Sequence, residues 1–330
     1  MSIDLTCLTD IDTAAADAGS GLDRARQAKL YDRIDWFRLT LAHCPPPGTP
    51  LILRARQGDS AAWLFLMRNG AGATALTSWY TLDYAPIFEG PPSQALLTAI
   101  LRAIDCILID LAPLTEESAA LFSGVPGWIA CRSSASVNWS VATRDLDWAH
   151  YWQARPSRLR NTVARRSRGI ATHILTRFDP DAWAAYERVY AASWKPHEGS
   201  PSLLRALAEQ EGAAGTLRLG LAEVDGEVVA AQLWVVENGI ATIHKLAHAE
   251  SARAHSPGSV LSAAMFRHAI EQDRVDRIDF GTGDDAYKAD WTDTARPLVR
   301  LRLWNARTVR GLLGATRDNA SVLARRLRAS

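Results

Sequence analysis

Long apolar runs are missing from this chain. The densest, Ala61 to Met67, is seven residues long, well short of the ~18 consecutive apolar residues that mark a membrane-crossing helix. A secretory start is missing too: MSIDLTCLTD places acids where a basic start and an apolar middle belong. These absences lead us to expect a soluble, cytoplasmic protein with no membrane span. Cysteine is scarce. Cys7, Cys44, Cys106 and Cys131 are widely spaced, with no CxxC pair and no histidine at zinc spacing, which predicts buried thiols and no metal site. Lysine is scarcer still: Lys29, Lys195, Lys245 and Lys288 are four of 37 basic residues. Where arginine supplies the surface charge, a lysine is expected to be required as a lysine. Net charge is +1, which gives no general pull toward nucleic acid, and no helix-turn-helix pattern stands out. With 48% apolar and 22% charged residues, a disordered chain, a coiled coil and a collagen are excluded.

What is present is a chain of 330 residues, enough for two domains at roughly 150 residues each. Charge divides the same way. Residues 1–150 carry 11 basic and 16 acidic side chains and residues 151–330 carry 26 and 20, so the second half is expected to face an anionic partner. In the first half the apolar spacing predicts a helix over 23–44, ended by Pro45-Pro46-Pro47-Gly48. Strands are expected at 51–56, 61–68 and 73–82, a helix at 93–104, a strand at 106–111, a helix at 115–122 and a strand pair at 128–141. We expect an α/β (α+β) protein with boundaries near 150 and 305, leaving 306–330 as an Arg-rich helix or tail.

The second half opens on YWQARPSRLRNTVARRSRGI, with arginines at 155, 158, 160, 165, 166 and 168. A strand (171–176) and two helices (180–192, 202–211) follow. Asp225-Gly226 and Asn238-Gly239 are hairpin signals, giving strands 217–224, 227–236 and 240–247. A Ser/Pro/Gly loop then leads into a helix (259–272), a strand (277–280) and a later strand near 298–304.

Two constellations carry chemistry. In Arg253-Ala-His255-Ser256-Pro-Gly258-Ser259-Val260, Gly258 permits close backbone approach, Pro257 fixes the chain, and the helix start favours an anion beside Arg253. This resembles the pyrophosphate-binding signature of the GNAT acyltransferase superfamily, Q/R-x-x-G-x-G/A, with Ser256 in place of the first glycine. The second is Asp279-Phe-Gly-Thr-Gly-Asp284-Asp-Ala-Tyr287-Lys288-Ala-Asp-Trp291. It resembles the late motif of the GNAT branch that includes the cellulose-biosynthesis-associated CelD/BcsL-like proteins. That branch is distantly similar to the Fem-type aminoacyl transferases, which carry an aromatic–lysine pair in the corresponding place. The resemblance covers most of 150–305 and is fainter before it.

The resemblance implies two GNAT-like lobes, each a mixed, mostly antiparallel sheet flanked by helices. Residues 1–150 would be a partner lobe and 151–305 the lobe that binds acyl-CoA, with acetyl-CoA the expected co-substrate. Arg253, His255, Ser256, Gly258, Ser259 and Val260 would hold the donor pyrophosphate, and an acyl group would pass to the amine of a small molecule or peptide. Lys288 would clamp phosphate or the developing oxyanion, or simply pair with Asp284 or Asp285. Tyr287 would protonate the thiolate or pack as an aromatic, Asp284 would orient or deprotonate the acceptor or else cap or turn its loop, and Lys245 would meet an anionic group or face solvent. His244 is a candidate general base; period two places it and Lys245 on opposite strand faces unless a bulge intervenes. Gln232 is a candidate acceptor contact. The acid that related proteins often carry shortly after the strand lysine is absent. Two rivals stand beside this reading: a Fem-type transferase taking its group from aminoacyl-tRNA, and a non-catalytic GNAT-fold binding protein.

Overall fold

The computed structural model describes residues 2–329, with side chains described to residue 320. The chain forms two compact units, residues 1–136 with 297–330, and residues 137–296. Each unit is a mixed, largely antiparallel sheet flanked by helices.

The first unit runs β1 (Asp4–Leu8), α1 (Ile11–Ala18), α2 (Ile34–His43), β2 (Thr49–Gln57), β3 (Ser60–Asn69), β4 (Gly72–Ala75), β5 (Ile87–Glu89), α3 (Gln94–Ala103), β6 (Leu108–Leu114) and α4 (Glu116–Ala120). It also holds most of β7 (Trp128–Ala142). Strands β1 to β4 pair antiparallel in sequence, β5 pairs with β3, and β4 pairs parallel with β6. The alternating residues Leu51, Leu53, Leu64 and Leu66 meet Leu97, Ile100 and Leu101 of α3 in one core. Arg54 is buried in this unit and is tied by its guanidinium to Asp4 and Asp17.

Several sequence expectations change here. The expected helix over 23–44 begins only at Ile34, because the buried Arg33 donates from Nε to the carbonyl of Gln27 at 3.1 Å and from Nη2 to that of Ala28 at 3.3 Å. Those bonds hold 23–29 as a looped segment. The strand expected over 73–82 ends at Ala75. The expected strand pair at 128–141 is one strand of 15 residues, since no glycine or proline interrupts it. That unbroken strand carries the chain from one unit to the other, and the units divide at 136/137 rather than at 150.

The second unit continues with α5 (Trp148–Gln153), α6 (Ser157–Arg166), β8 (Ala171–Leu175), α7 (Pro180–Ala191), α8 (Pro201–Ala213), β9 (Leu217–Val224), β10 (Glu227–Glu237), β11 (Ile240–His248), α9 (Pro257–Glu271) and β12 (Arg277–Thr282). Then β13 (Thr294–Asn305) and α10 (Val309–Ala329) return to the first unit, where Arg300 of β13 grips Asp110 of β6 with two bonds of 2.6–2.7 Å.

Both hairpin turns form as the sequence predicts. Asp225-Gly226 and Asn238-Gly239 each have two consecutive positive φ angles, which matches the right-handed twist of the flanking strands. Strands β8, β9, β10 and β11 are antiparallel neighbours, β11 pairs parallel with β12, and β12 pairs antiparallel with the end of β7. Ala222, Ala230, Trp234 and Val236 share a core with Leu261, Met265 and Phe266 of α9. Residues of the opposite parity, among them Leu219, Leu221, Leu233 and Val235, are buried as well. Helices α7 and α8 pack on β10 and β9, so the sheet is covered on both faces. Gly220 is required by this packing: a Cβ there would sit 2.5 Å from the Met265 sulfur.

Candidate active site

The site begins with a defect in strand pairing. On β10, Leu233 pairs with Lys245, but Trp234 pairs with Ile243. His244 is therefore the extra residue of a β-bulge, a device that re-aims side chains. Its effect is visible in the core. Ala241 and Ile243 face α9 before the bulge, and Leu246 faces α9 after it. Parity has inverted, so Lys245 points to the α7 face.

The bulge coincides with a parting of strands. β11 and β12 are paired at Ile240–Arg277, Ala241–Ile278 and Thr242–Asp279 only. Beyond Thr242 they separate, and the glycine-bearing end of β12 turns away. Gly281 and Gly283 have φ of 69° and 109°. Asp279 fixes this turn by accepting from the Gly281 N–H at 2.9 Å and from Asn138 Nδ2 at 2.8 Å.

On the α9 side of the gap lies a cavity of about 360 Å³. It is lined by Leu246 and His248 of β11, by Arg253, by Ser256, Gly258, Ser259 and Ser262 at the start of α9, and by Trp194, Tyr287 and Trp291. The local sequence builds this mouth. Ser256 adopts the left-handed conformation, Pro257 opens the helix, and α9 has neither a side-chain cap nor an acid in its first turn. Ser259 and Val260 donate to the Ser256 carbonyl at 3.1 and 3.3 Å and Pro257 has no N–H, so the Gly258 N–H and the positive end of the helix dipole are what this start offers an anion. Gly258 lies against His248: a Cβ at 258 would be 3.2 Å from the His248 Nδ1.

Four of the expected donor-loop residues, Arg253, Ser256, Gly258 and Ser259, line this cavity. His255 and Val260 do not; the first is exposed and the second is buried. Arg253 is itself exposed and pairs with Glu250 at 3.1 Å. His248 was not among the expected residues. Its ring stacks at a tilt on Trp194 with centroids 4.3 Å apart, and burial lowers its pKa.

The remaining candidates separate into groups. Tyr287 is 39% exposed and lies edge-on to Phe280. Burial and Asp285 raise its hydroxyl pKa, so it stays protonated and able to donate. Asp284 is exposed on the loop. Lys288 is buried, and its ammonium donates to the carbonyls of Thr282 at 2.6 Å and Gly283 at 3.1 Å, with Asp285 at 3.8 Å. That geometry makes it the anchor of the glycine turn. His244, desolvated beside Lys245, has its pKa pushed down to about 3. It is neutral at physiological pH and far from the value near 7 that suits a general base. Gln232 is no acceptor contact: it donates to Ser262 Oγ at 2.7 Å and accepts from Trp234 Nε1 at 2.9 Å, wholly buried under α9.

Lys245 meets an acid that sequence adjacency did not offer. Glu198, from the loop between α7 and α8, lies 3.0 Å from its ammonium, and the Tyr190 ring centroid lies 5.5 Å from it. Glu198 has no signal in the sequence beyond being an acid in a short loop. Lys195 had one, the scarcity of lysine: Lys195, Lys245 and Lys288 are electrostatic neighbours, with Glu198 and Asp285 among them.

Part of the arginine run is engaged within the fold. Arg155 is buried and reaches Asp293 at 2.8 Å, Arg158 pairs with Asp290 at 2.8 Å, and Arg160 donates to the Arg155 carbonyl. These bonds tie α6 to the segment that carries Tyr287 and Trp291. Arg165 and Arg168 are exposed.

The parted strand pair and the helix start beside it lie within residues that match a known domain family. Residues 157–289 match the acetyltransferase (GNAT) domain family. Among solved structures the chain is similar to FemX (9% identity, TM-score 0.61, covering 91% of this chain and 97% of that one). It is also similar to L-PGS from Bacillus licheniformis (13% identity, TM-score 0.54, 77% and 85%). A third likeness is to a tandem GNAT protein from the clavulanic acid biosynthesis pathway (13% identity, TM-score 0.51, 91% and 98%). At these identities the likeness is one of fold. No curated protein matches the chain. Among the described residues no helix is long and apolar enough to cross a membrane.

Proposed function

We propose that the chain is an acyl-CoA-dependent N-acyltransferase whose chemistry lies in the second unit. The observation that carries this reading is the gap between β11 and β12 beyond Thr242, opened at the His244 bulge and flanked by the uncapped start of α9. A pantetheine chain entering that gap finds strand backbone to pair with, and its pyrophosphate falls at Ser256, Gly258 and Ser259. In the transfer the amine nitrogen forms a bond to the acyl carbon and the C–S bond breaks. The amine gives up one proton and the CoA thiolate takes one up. Tyr287, protonated and on the cavity wall, is placed to supply the proton to sulfur, and Glu198 is placed to accept the proton from the amine. Lys288 serves by holding the turn that carries Asp284 and Tyr287.

We take the first unit as a second GNAT-like lobe that carries no donor site. Its order of elements from β1 to β6 repeats that of β8 to β12, with β5 inserted, and its β4–β6 pair is parallel like β11–β12. At the matching helix, however, the Ser93 hydroxyl accepts from the Leu96 N–H, which caps the start of α3.

The test is calorimetric titration of the purified chain with acetyl-CoA, a long-chain acyl-CoA and free CoA, with thiol release followed in the presence of amine mixtures. Saturable CoA binding and amine-dependent thiol release are expected. A folded protein that binds no CoA species would overturn the proposal. The exposed Arg165 and Arg168 favour one alternative, a donor carried on tRNA, as in Fem-type transfer; activity that ribonuclease abolishes would select it.

A further inference from the structure

On the α7 side of the same sheet lies a second cavity, of about 430 Å³, formed by α7, the loop 193–198 and the start of α8. This size suits a small-molecule ligand. Trp183, Tyr186, Tyr190 and Leu204 give it an apolar wall. Four ionisable residues besides the tyrosines line it: Glu187, Lys195, His197 and Glu198. Two of them are engaged. Glu187 accepts from the Trp183 indole N–H at 2.9 Å, and Glu198 holds Lys245. Lys195 is different. Among the described residues no hydrogen bond or ion pair reaches its ammonium, and its recorded ring contact is the Trp194 centroid at 5.8 Å.

Resting on the acyl-transfer reading, we infer that this cavity receives the acceptor as an α-amino acid with a large apolar side chain. Its carboxylate meets the Lys195 ammonium, and its side chain fills the space among Trp183, Tyr186, Tyr190 and Leu204. Its amine is directed to the Glu198 end, where Lys245 of the parting strand stands. Three arguments carry this. An apolar body is matched by an aromatic wall. A negative group is matched by a lysine that the protein leaves without a partner, in a chain that has only four lysines. A simple cationic amine is disfavoured by Lys195, on which Lys245 and Lys288 also act, since of the acids in the lining Glu187 is bound to the Trp183 indole and Glu198 to Lys245. Burial and the two neighbouring lysines push the Lys195 pKa down to about 8 while Asp285 and Glu198 oppose them, so the ammonium is charged at neutral pH and weakly solvated.

The experiment compares phenylalanine, phenethylamine, glycine and O-phosphoethanolamine. Each is titrated calorimetrically into the full chain and tried as acceptor with acetyl-CoA, in the wild type, Lys195→Met and Lys195→Arg. The expected result is binding of phenylalanine about tenfold or more tighter than of phenethylamine or glycine. Lys195→Met should erase that preference, and Lys195→Arg should restore part of it in an equally folded protein. Equal or better binding of phenethylamine, preference for O-phosphoethanolamine, or an unchanged preference in Lys195→Met would overturn the inference. The two readings fail separately. Lys195-dependent phenylalanine binding without transfer from any acyl-CoA keeps the acceptor site and sinks acyl transfer. Transfer to phenethylamine in preference to phenylalanine keeps acyl transfer and sinks the amino-acid site.

Discussion

Replacing Gly258 separates the donor site from the stability of the fold. Gly258 is the second residue of α9, and a Cβ there meets one neighbour, the His248 ring at 3.2 Å. An alanine gains a few tenths of a kcal/mol from helix propensity near a terminus and presses lightly on a side chain at a cavity edge, which can shift. Gly258→Ala should therefore leave the urea midpoint within about 0.5 kcal/mol of the wild type. Gly258→Trp places an indole in a cavity of about 360 Å³ that the donor pyrophosphate is proposed to approach. Its stability cost is small because the space is open, but it displaces the ligand. Loss of the helix-start contacts should weaken CoA binding at least ~100-fold, which corresponds to about 3 kcal/mol. The assays are urea unfolding and calorimetry with CoA on the same three preparations. Unchanged CoA affinity in a folded Gly258→Trp protein would refute the assignment of this cavity to the donor.

Other perturbations follow from the same geometry. Tyr287→Phe should lower kcat about 10²-fold or more while leaving CoA affinity within about twofold, as removal of a positioned acid does; an unchanged kcat removes the proton-donor role. Lys288→Met leaves the Thr282 and Gly283 carbonyls without their donor, at roughly 1–3 kcal/mol each, so chemical denaturation should show a loss of about 2–6 kcal/mol. A variant as stable as the wild type but inactive would return Lys288 to a catalytic role. His244 has a folded pKa of about 3 against 6.5 unfolded, so its neutral form stabilises the fold fully above pH 6.5 and ever less as pH falls toward 3. The slope is at most about 1.4 kcal/mol per pH unit. Urea midpoints between pH 4 and 7 should therefore fall less steeply in His244→Gln than in the wild type, and equal slopes would refute the desolvation argument.

Legibility in the sequence followed the range of the interaction. The second unit was readable because its punctuation is local. Asp225-Gly226 and Asn238-Gly239 dictate their turns through positive φ, and Ser256-Pro257-Gly258 dictates a helix start. Long-range features were hidden. The His244 bulge exists only relative to β10, and period two alone leaves open which of His244 and Lys245 takes which face. Glu198 reaches Lys245 across 47 positions of sequence. Lys288 looked like a clamp for a ligand because its motif says nothing of which carbonyls the ammonium meets. The looped 23–29 segment was hidden by a buried arginine, a residue that apolar periodicity scores as exposed.

On the proposed reading the two units share an order of elements but not a donor site. In both, a parallel strand pair follows three antiparallel strands, with a helix crossing between the last two. In the first unit β4 has four residues, and its pairing with β6 covers Gly72, Ala73 and Thr74. No long free strand edge remains beyond the last pair. Ser93 then occupies the start of α3. In the second unit β11 has nine residues, is paired with β12 over its first three only, and is followed by a helix without a side-chain cap. The difference amounts to five further strand residues, one bulge and one serine hydroxyl. Each acts in the same direction. Extra strand length provides backbone that a ligand can pair with, the bulge keeps the neighbouring strand away, and a helix end without a side-chain cap leaves the Gly258 N–H for an anion. Grafting the Ser93 arrangement onto α9 would cap the helix at the position proposed for the donor. A substitution that stabilises the isolated helix there should weaken CoA binding, and the opposing signs of those two effects are the mark of a ligand site rather than of an imperfect helix.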